Sequence, residues 1–588
     1  MKSLYTDNYN RQYIGAHQFK PFGGKMKNKI YDATDYGVLP GVGDCAKELQ
    51  LLFDSITDGS CVVFKTGSYR LSRLVTVKGK KNIKICGNFS EIITHFDPCG
   101  PKSATNEAFK FIDCSDIEII GFFFDTDSPI GAAGEVVAID FENKAVDVKI
   151  YDEFPVTGYE HICGTNSFDS EGSPDYALAT YNDCIEEQSF TLPDGTVSRR
   201  YQGLDYEVVS DRVIRLRLDG ILPEKEDCRL KIGHKINIRY EMYGHSLLSF
   251  YFCRRVTLKN ITVYSAASFA VTVEPRSSDF TFDNFSIRVN KGSKRLMAIN
   301  ADGIHILGLM GKLVMKNCNL ESMGDDTLNI HGLALEVIKI ENGGEIITVD
   351  GMEGRPQKAI YECTWAQPGD IIAAYDRKSF LQIAEFTVKS VSPDGVFTTE
   401  NISGEIKTGC VLANKVFFAA VHIDGCTMRN TRARGALIQT QNVLVENSYI
   451  YGMSYAGLLF SPDIKRWWEV APAENVEIRN NIFEHCAHAS GTMPDGAVSF
   501  KASHEGKSTE YPAGVHKNIS IYGNRFKNFS GCGIFVSAAE NVRIENNIFE
   551  RRKAAAETGF DIRLVNCRNT KINNNRDDDF SEKLIFTE

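Results

Sequence analysis

The chain has 588 residues, an ordinary globular composition (43% hydrophobic, 24% charged) and a formal net charge of −10, enough for several domains or for one long repeat architecture with inserts. The acidic balance argues against general nucleic-acid binding, which depends on Lys and Arg neutralising phosphates, and favours a neutral or weakly charged substrate. No run approaches the ~20 apolar residues of a spanning helix. The sixteen cysteines include no CxxC pair and no His/Cys cluster with ligand spacing, so Cys86, Cys114, Cys318 and Cys567 are expected as buried thiols, without a disulfide framework or a metal site.

Residues 1–28 read as an N-terminal extension without the apolar core of a signal peptide. The compartment is left open: cytoplasmic as the chain stands, periplasmic or secreted if an export signal was trimmed. From 29 to 140 a short strand, a Gly-rich turn and one amphipathic helix striped by Leu49, Leu52, Phe53 and Ile56 predict the cap and first coils of a solenoid. Residues 141–240 and 333–412 each read as hairpins with Asp-Gly turns, among them Asp194-Gly195 and Asp394-Gly395, and so as small, barrel-like antiparallel inserts. In 241–332 and 413–588 one phrase recurs, an alternating strand ending in Asn. It begins at Val256, Phe280, Leu313, Val443, Val476, Ile519 and Val542 and fades near Asn573. The shortest intervals are 23 or 24 residues, the strands alternate with period two, and no helical pattern separates them. These features predict an all-β chain, a right-handed parallel β-helix with two inserted antiparallel domains, its Asn residues stacked as corner ladders.

The octets "ADGIHILG" (301–308) and "DDTLNIHG" (325–332) overlay with Asp302 on Asp326, His305 on Asn329 and Gly308 on Gly332. In consecutive coils Asp302 would lie beneath Asp326 with Cβ atoms about 5 Å apart. Like charges at that distance need a cation, a shared proton or an ordered water, and stability offers no reason to build them. Asp325 should point to the other side of the extended chain. Three carboxylates would then surround one point, as acid–base glycoside hydrolysis requires. The same register places Phe269 below Asp302 and, across the second insert, Arg434 above Asp326. His305 and His331 are candidate substrate contacts, each equally readable as a packed strand residue. One of Trp467 and Trp468 should face out as a platform for a sugar ring. Arg276 and Glu469 complete the candidates, with ordinary surface charge as their alternative.

At these residues a family resemblance is plain. The opening "DATDYG" resembles pectin-lyase-like β-helix proteins. The stretch "ADGIHILGLMGKLVMKNCNLESMGDDTLNIHG" resembles glycoside hydrolase family 110, the exo-acting α-1,3-galactosidases that include blood-group-B-cleaving enzymes. The likeness spans most of the chain. It implies a cofactor-free, inverting hydrolase that takes terminal α-galactose from an oligosaccharide or glycoconjugate. It also implies that Asp325 is the general acid and that Asp302 and Asp326 hold the attacking water, with acid and base roughly 6.5–9.5 Å apart. A polygalacturonase-like hydrolase is the nearest rival, although the Gly-His-Gly and Arg-Ile-Lys signatures are missing. A carbohydrate-binding β-helix without catalysis is the rival from another class. Substrate branching and oligomeric state, a homo-oligomer included, are left open.

Overall fold

The computed structural model describes residues 29–97, 106–156, 164–168, 187–191, 197–201, 206–218, 222, 224–226, 228, 230–240, 244–351, 364–464, 467–488, 496–502, 511–529, 531–550, 560–577 and 585–587. The expected N-terminal extension and the Asp194-Gly195 turn lie outside them.

Each coil passes through three parallel stacks whose inward residues form continuous columns. One runs Ile117, Val256, Phe280, Leu313, Val421, Val443, Val476, Ile519, Val542. A second runs Phe109, Leu248, Val271, Ile304, Leu328, Ala436, Leu458, Val498, Ile534, Ile562. The third includes Ile287, Leu320, Met428, Ile450, Phe483, Phe526 and Phe549. Period-two alternation sends these side chains into one shared core, where each buried Val, Ile or Phe contributes about 1.5–3 kcal/mol.

The recurring Asn has a conformational cause. Corner residues Asn260, Asn284, Asn317, Asn447, Asn480 and Asn546 take φ between 51° and 56°, a left-handed backbone that Asn tolerates and most residues do not. Coils at Ile117 and Val421 escape the sequence repeat because Gly121 and Gly425, at φ 70° and 63°, fill that corner with no Asn after them, unlike Gly523 of the Ile519 coil, which precedes Asn524. The following Asn forms the expected ladder. The Nδ2 groups of Asn481, Asn524 and Asn547 each donate to the next Oδ1, at 3.0, 3.1 and 2.9 Å, ending on Asn575.

The helix Ala46–Ser55 buries Ala46, Leu49, Leu52 and Phe53 over the first coil. Gln50 bonds both main-chain groups of Thr76, at 2.8 and 2.9 Å, and so covers part of the open edge. Every described cysteine is a free thiol, with Cys86, Cys114 and Cys318 buried and Cys567 half-buried. Among the described residues no helix is long and apolar enough to cross a membrane.

Among the described residues the first insert forms an open six-stranded antiparallel sheet whose leading strand, Gly131–Asp140, starts before the expected boundary at 141. The barrel-like expectation is met by the second insert. Strands Leu328–Glu341, Ile346–Asp350, Val396–Gly404, Gln382–Val391, Ile371–Tyr375 and Val411–Asn414 pair around into a closed antiparallel ring. Leu328–Glu341 runs unbroken from β-helix into barrel, so no linker marks the expected boundary at 333.

The ladder makes a stability prediction. Asn524 is buried, accepts from the Asn481 main-chain N–H at 3.0 Å and donates to the Ile478 carbonyl at 2.9 Å. Asn524→Ala strands several buried groups and should lower stability by about 2–3 kcal/mol, read as a fall in the urea midpoint. An unchanged midpoint would refute a structural role for the ladder.

Candidate active site

Strands Val271–Val273, Ile304–Leu307 and Leu328–Glu341 stack with Thr272, His305 and Asn329 in one column, and the turns preceding the last two hold the aspartates. The Asp326 N–H donates to Asp302 Oδ1 at 3.1 Å, which places the two residues one coil apart in register. Pairing of Asn329 with Leu437 carries the register across the barrel and brings Arg434 over Asp326. Arg434 Nη1 lies 2.9 and 3.1 Å from the two carboxylate oxygens, and its main-chain N–H donates at 3.0 Å. Asp302, Asp325 and Asp326 each present an oxygen within 4.8 Å of the other two. Their side chains are 5%, 13% and 3% exposed, so Asp325 is the accessible member.

The glycines of "ADG" and "GDD" are required by close approach of the coils. A Cβ on Gly324 would stand 2.3 Å from the Asn300 carbonyl oxygen, and one on Gly303 would stand 2.8 Å from that of Thr327. Arg239 reaches in from the first insert, fully buried, and donates through Nη1 to the carbonyls of Asn300 at 2.8 Å and Gly324 at 3.2 Å. One guanidinium thus ties together the turns that carry Asp302 and Asp325.

Behind Asp302 runs a chain of titratable groups. His305 Nδ1 is 2.7 Å from Asp302 Oδ2, and its Nε2 is 3.2 Å from His331 Nε2. His331 Nδ1 faces the Gly332 carbonyl at 3.1 Å. A carbonyl only accepts, so the His331 proton sits on Nδ1 and a neutral His331 offers its Nε2 lone pair to His305. A His305 imidazolium satisfies Asp302 and His331 together. Glu469 lies 3.6 Å from His331 Nε2, close enough to stabilise the charge if it moves one ring further. Burial pulls the His305 pKa down, but the bond to Asp302 and the charges of Asp302, Glu469 and Glu274 outweigh it and leave it raised.

Burial is also the largest influence on both inner aspartates. It raises Asp302 together with the Asp325 charge, against the His305 bond. It pushes Asp326 up to about 7 against the opposing Arg434, with Asp325 and Asp302 adding to the rise. Arg432 Nη2 stands 3.4 Å from Asp325 Oδ1. The crowded negative charge is therefore offset within the chain by His305, Arg432 and Arg434, and the spacing of the oxygens alone does not call for a bound cation.

Asp302, Asp325, Asp326, His305, His331, Arg434 and Glu469 converge as the sequence suggested, and Phe269 lies 5.2 Å from the His305 ring. Arg276 does not join them. It bonds Asp370 and the Thr364 carbonyl and fastens the barrel to the β-helix. Trp468 is not a sugar platform: it is 6% exposed, packed with Ala334, Tyr375 and Val411 between barrel and solenoid. Trp467 is half-buried. Three site residues escaped the sequence reading. Asn329, 6% exposed with no hydrogen-bond partner for Oδ1 among the described residues, was visible as the aligned partner of His305. Arg432 stands two positions before Arg434, in the bend between strands Thr427–Thr431 and Ala436–Ile438. Arg239 had no signal, since it comes from a strand outside the repeat.

No protein-family model matches the sequence. Among curated proteins the chain is similar to Alpha-1,3-galactosidase A of Shewanella woodyi, 26% identical across 74% of this chain and 69% of that protein. It is also similar to Alpha-1,3-galactosidase A of Bacteroides fragilis, 24% identical across 95% of this chain and 93% of that one. Among solved structures it is similar to the family 28 exopolygalacturonase of Yersinia enterocolitica, with 13% identity, 96% of this chain and 78% of that one covered, and a TM-score of 0.40. The curated homologues carry the name implied by the resemblance at "ADG" and "GDD".

The raised Asp326 carboxyl has a signed consequence for stability. An unfolded Asp gives up its proton near pH ~4, whereas the folded protein holds it up to about 7. This group's contribution is therefore fullest below pH ~4 and is lost as pH rises through that window. Asp326→Asn removes the titration, so the variant's Tm relative to the parent should climb steadily from pH 4 to pH 7 in matched thermal melts. A constant or shrinking difference would contradict the raised carboxyl.

Proposed function

We propose that the chain is an exo-acting glycoside hydrolase that removes terminal α-1,3-linked galactose, from blood-group-B type or linear glycans, with inversion at the anomeric carbon. The hydrolase class is supported by homologues named alpha-1,3-galactosidase, one aligned across 95% of the chain, and by the three converging carboxylates. The observation that carries the division of roles is their unequal setting: Asp302 and Asp326 are buried with their oxygens engaged, while Asp325 is the accessible one. Asp325 gives its proton to the leaving oxygen. Asp302, oriented by His305, and Asp326, oriented by Arg434, hold the attacking water between them and take its proton.

One expectation is corrected. In place of the roughly 6.5–9.5 Å between acid and base carboxyl groups expected for inversion, one oxygen of each carboxylate lies within 4.8 Å of one oxygen of each of the other two. That shorter spacing favours a second reading, retention through a covalent glycosyl-enzyme. The environment of the inner pair opposes it. A nucleophile must bring a free oxygen to the anomeric carbon, and both Asp326 oxygens are engaged by Arg434 while the Asp302 oxygens are held by His305 and the Asp326 N–H. Each engaged oxygen keeps a second lone pair that can accept from a water, whereas a covalent bond to the sugar would remove the charge that Arg434 and His305 pair with.

Three measurements test the proposal. Early product from a 4-nitrophenyl α-galactoside, followed by NMR, should be β-galactose; α-galactose selects the retaining reading. Asp302→Asn and Asp326→Asn should each lose several orders of magnitude in kcat on every substrate. Asp325→Asn should lose as much on natural disaccharides yet keep much of its activity on a dinitrophenyl galactoside, whose leaving group needs no proton. Equal losses across leaving groups would remove Asp325 from the acid role. Finally, polygalacturonate should be untouched. Hydrolysis of it, or sugar binding without any hydrolysis, would favour one of the two rival functions.

A further inference from the structure

We propose that the cavity beside His305, on the side of the N-terminal coils, is a dead-end pocket for the terminal monosaccharide, and that Glu107 and Glu274 select a neutral sugar there by accepting hydrogen bonds from its hydroxyls. This rests on the reading of the chain as a glycoside hydrolase and gives the end of that site a chemistry.

The cavity is about 220 Å³, below the roughly 300–1,000 Å³ of sites for larger ligands, so it suits one ring rather than a chain of them. Its floor is the outward column Ser249, Thr272, His305, and His305 also bonds Asp302 at 2.7 Å. Pocket and aspartates therefore share a wall. Ser249 is 4% exposed and its hydroxyl has no hydrogen-bond partner among the described residues, an arrangement a ligand hydroxyl would complete. Phe269 adds an apolar surface for the C–H face of a ring.

The far wall is Gly244–Ser246, where the chain returns from the first insert. The Gly244 carbonyl accepts from Ser268 Oγ at 3.2 Å, and His245 Nδ1 lies 3.8 Å from Glu107. The return from the insert thus forms one wall of the cavity, and in the proposed pocket a substrate enters by its terminus. Charge narrows the ligand further. Glu107 and Glu274 both line the cavity with His245 and His305, and Lys110 Nζ lies 3.9 Å from Glu107; a uronate would add a further carboxylate beside the two glutamates, whereas a neutral sugar offers hydroxyl donors for charge-assisted bonds.

The test is direct binding, so that it does not depend on turnover. In the Asp325→Asn protein, calorimetric titration should show galactose binding at least about tenfold more tightly than galacturonate. Glu107→Gln and Glu274→Gln, added singly to that background, should each weaken galactose about tenfold. Galactose affinity unchanged in both variants, or a preference for galacturonate, overturns the pocket. If either variant misfolds, a galactose-soaked crystal of the Asp325→Asn protein decides, and sugar density outside the cavity overturns the proposal. A different neutral monosaccharide bound with the same Glu dependence, without galactoside hydrolysis, would sustain the pocket while defeating the galactosidase reading. Galactoside hydrolysis with Glu-independent binding would do the reverse.

Discussion

Two carboxylates buried one coil apart repel each other, and much of the surrounding structure answers that repulsion. The columns of Val, Ile and Phe fix the coils in register, because a slip of one residue would turn every inward side chain outward. The register in turn forces Asp302 under Asp326. Neither can swing into water, being 3% and 2% exposed. Compensation must be brought to them, and it is supplied from both sides of the stack, by His305 below and Arg434 above. Leaving either charge unpaired in this setting would cost several kcal/mol.

The inserts serve the same constraint from outside the solenoid. Each insert is tied to the β-helix by one buried arginine. Arg239 comes down from the first insert onto the carbonyls of Asn300 and Gly324. Arg276 goes up from the β-helix to Asp370 of the barrel. Arg239 thereby pins the turns holding Asp302 and Asp325 through main-chain contacts as well as strand pairing, the precision that the water proposed between the two carboxylates would demand.

Much of this was legible because a β-helix writes its geometry into the sequence. The overlay of Asp302 on Asp326 and His305 on Asn329 is the observed register, and Arg434 keeps its place across the long insert because the coil resumes in phase. What was not legible depends on contacts outside the repeat. Adjacent Trp467 and Trp468 looked like one inward and one outward ring. That alternation holds only for extended backbone, and Trp468 sits at φ 55° in a seam that exists because the barrel packs against the solenoid. Arg276, also at positive φ (69°), turns toward the same barrel. Neither the sharp backbone nor the barrel's docking face leaves a periodic trace.

The proton inventory of the three aspartates is a shared property. Asp326 is pushed up to about 7 by burial and in part by the negative charge of Asp325, and Asp302 is raised by burial and by Asp325 too. While Asp325 holds a proton, that repulsion is absent and the inner pair are weaker bases. Under the proposed roles, Asp325 becomes an anion when it protonates the leaving oxygen. Its new charge then raises the proton affinity of Asp302 and Asp326 while they take a proton from the incoming water. Bringing one oxygen from each of three carboxylates within 4.8 Å of the others, a burden on folding, would under those roles couple loss of the acid's proton to gain of the base's.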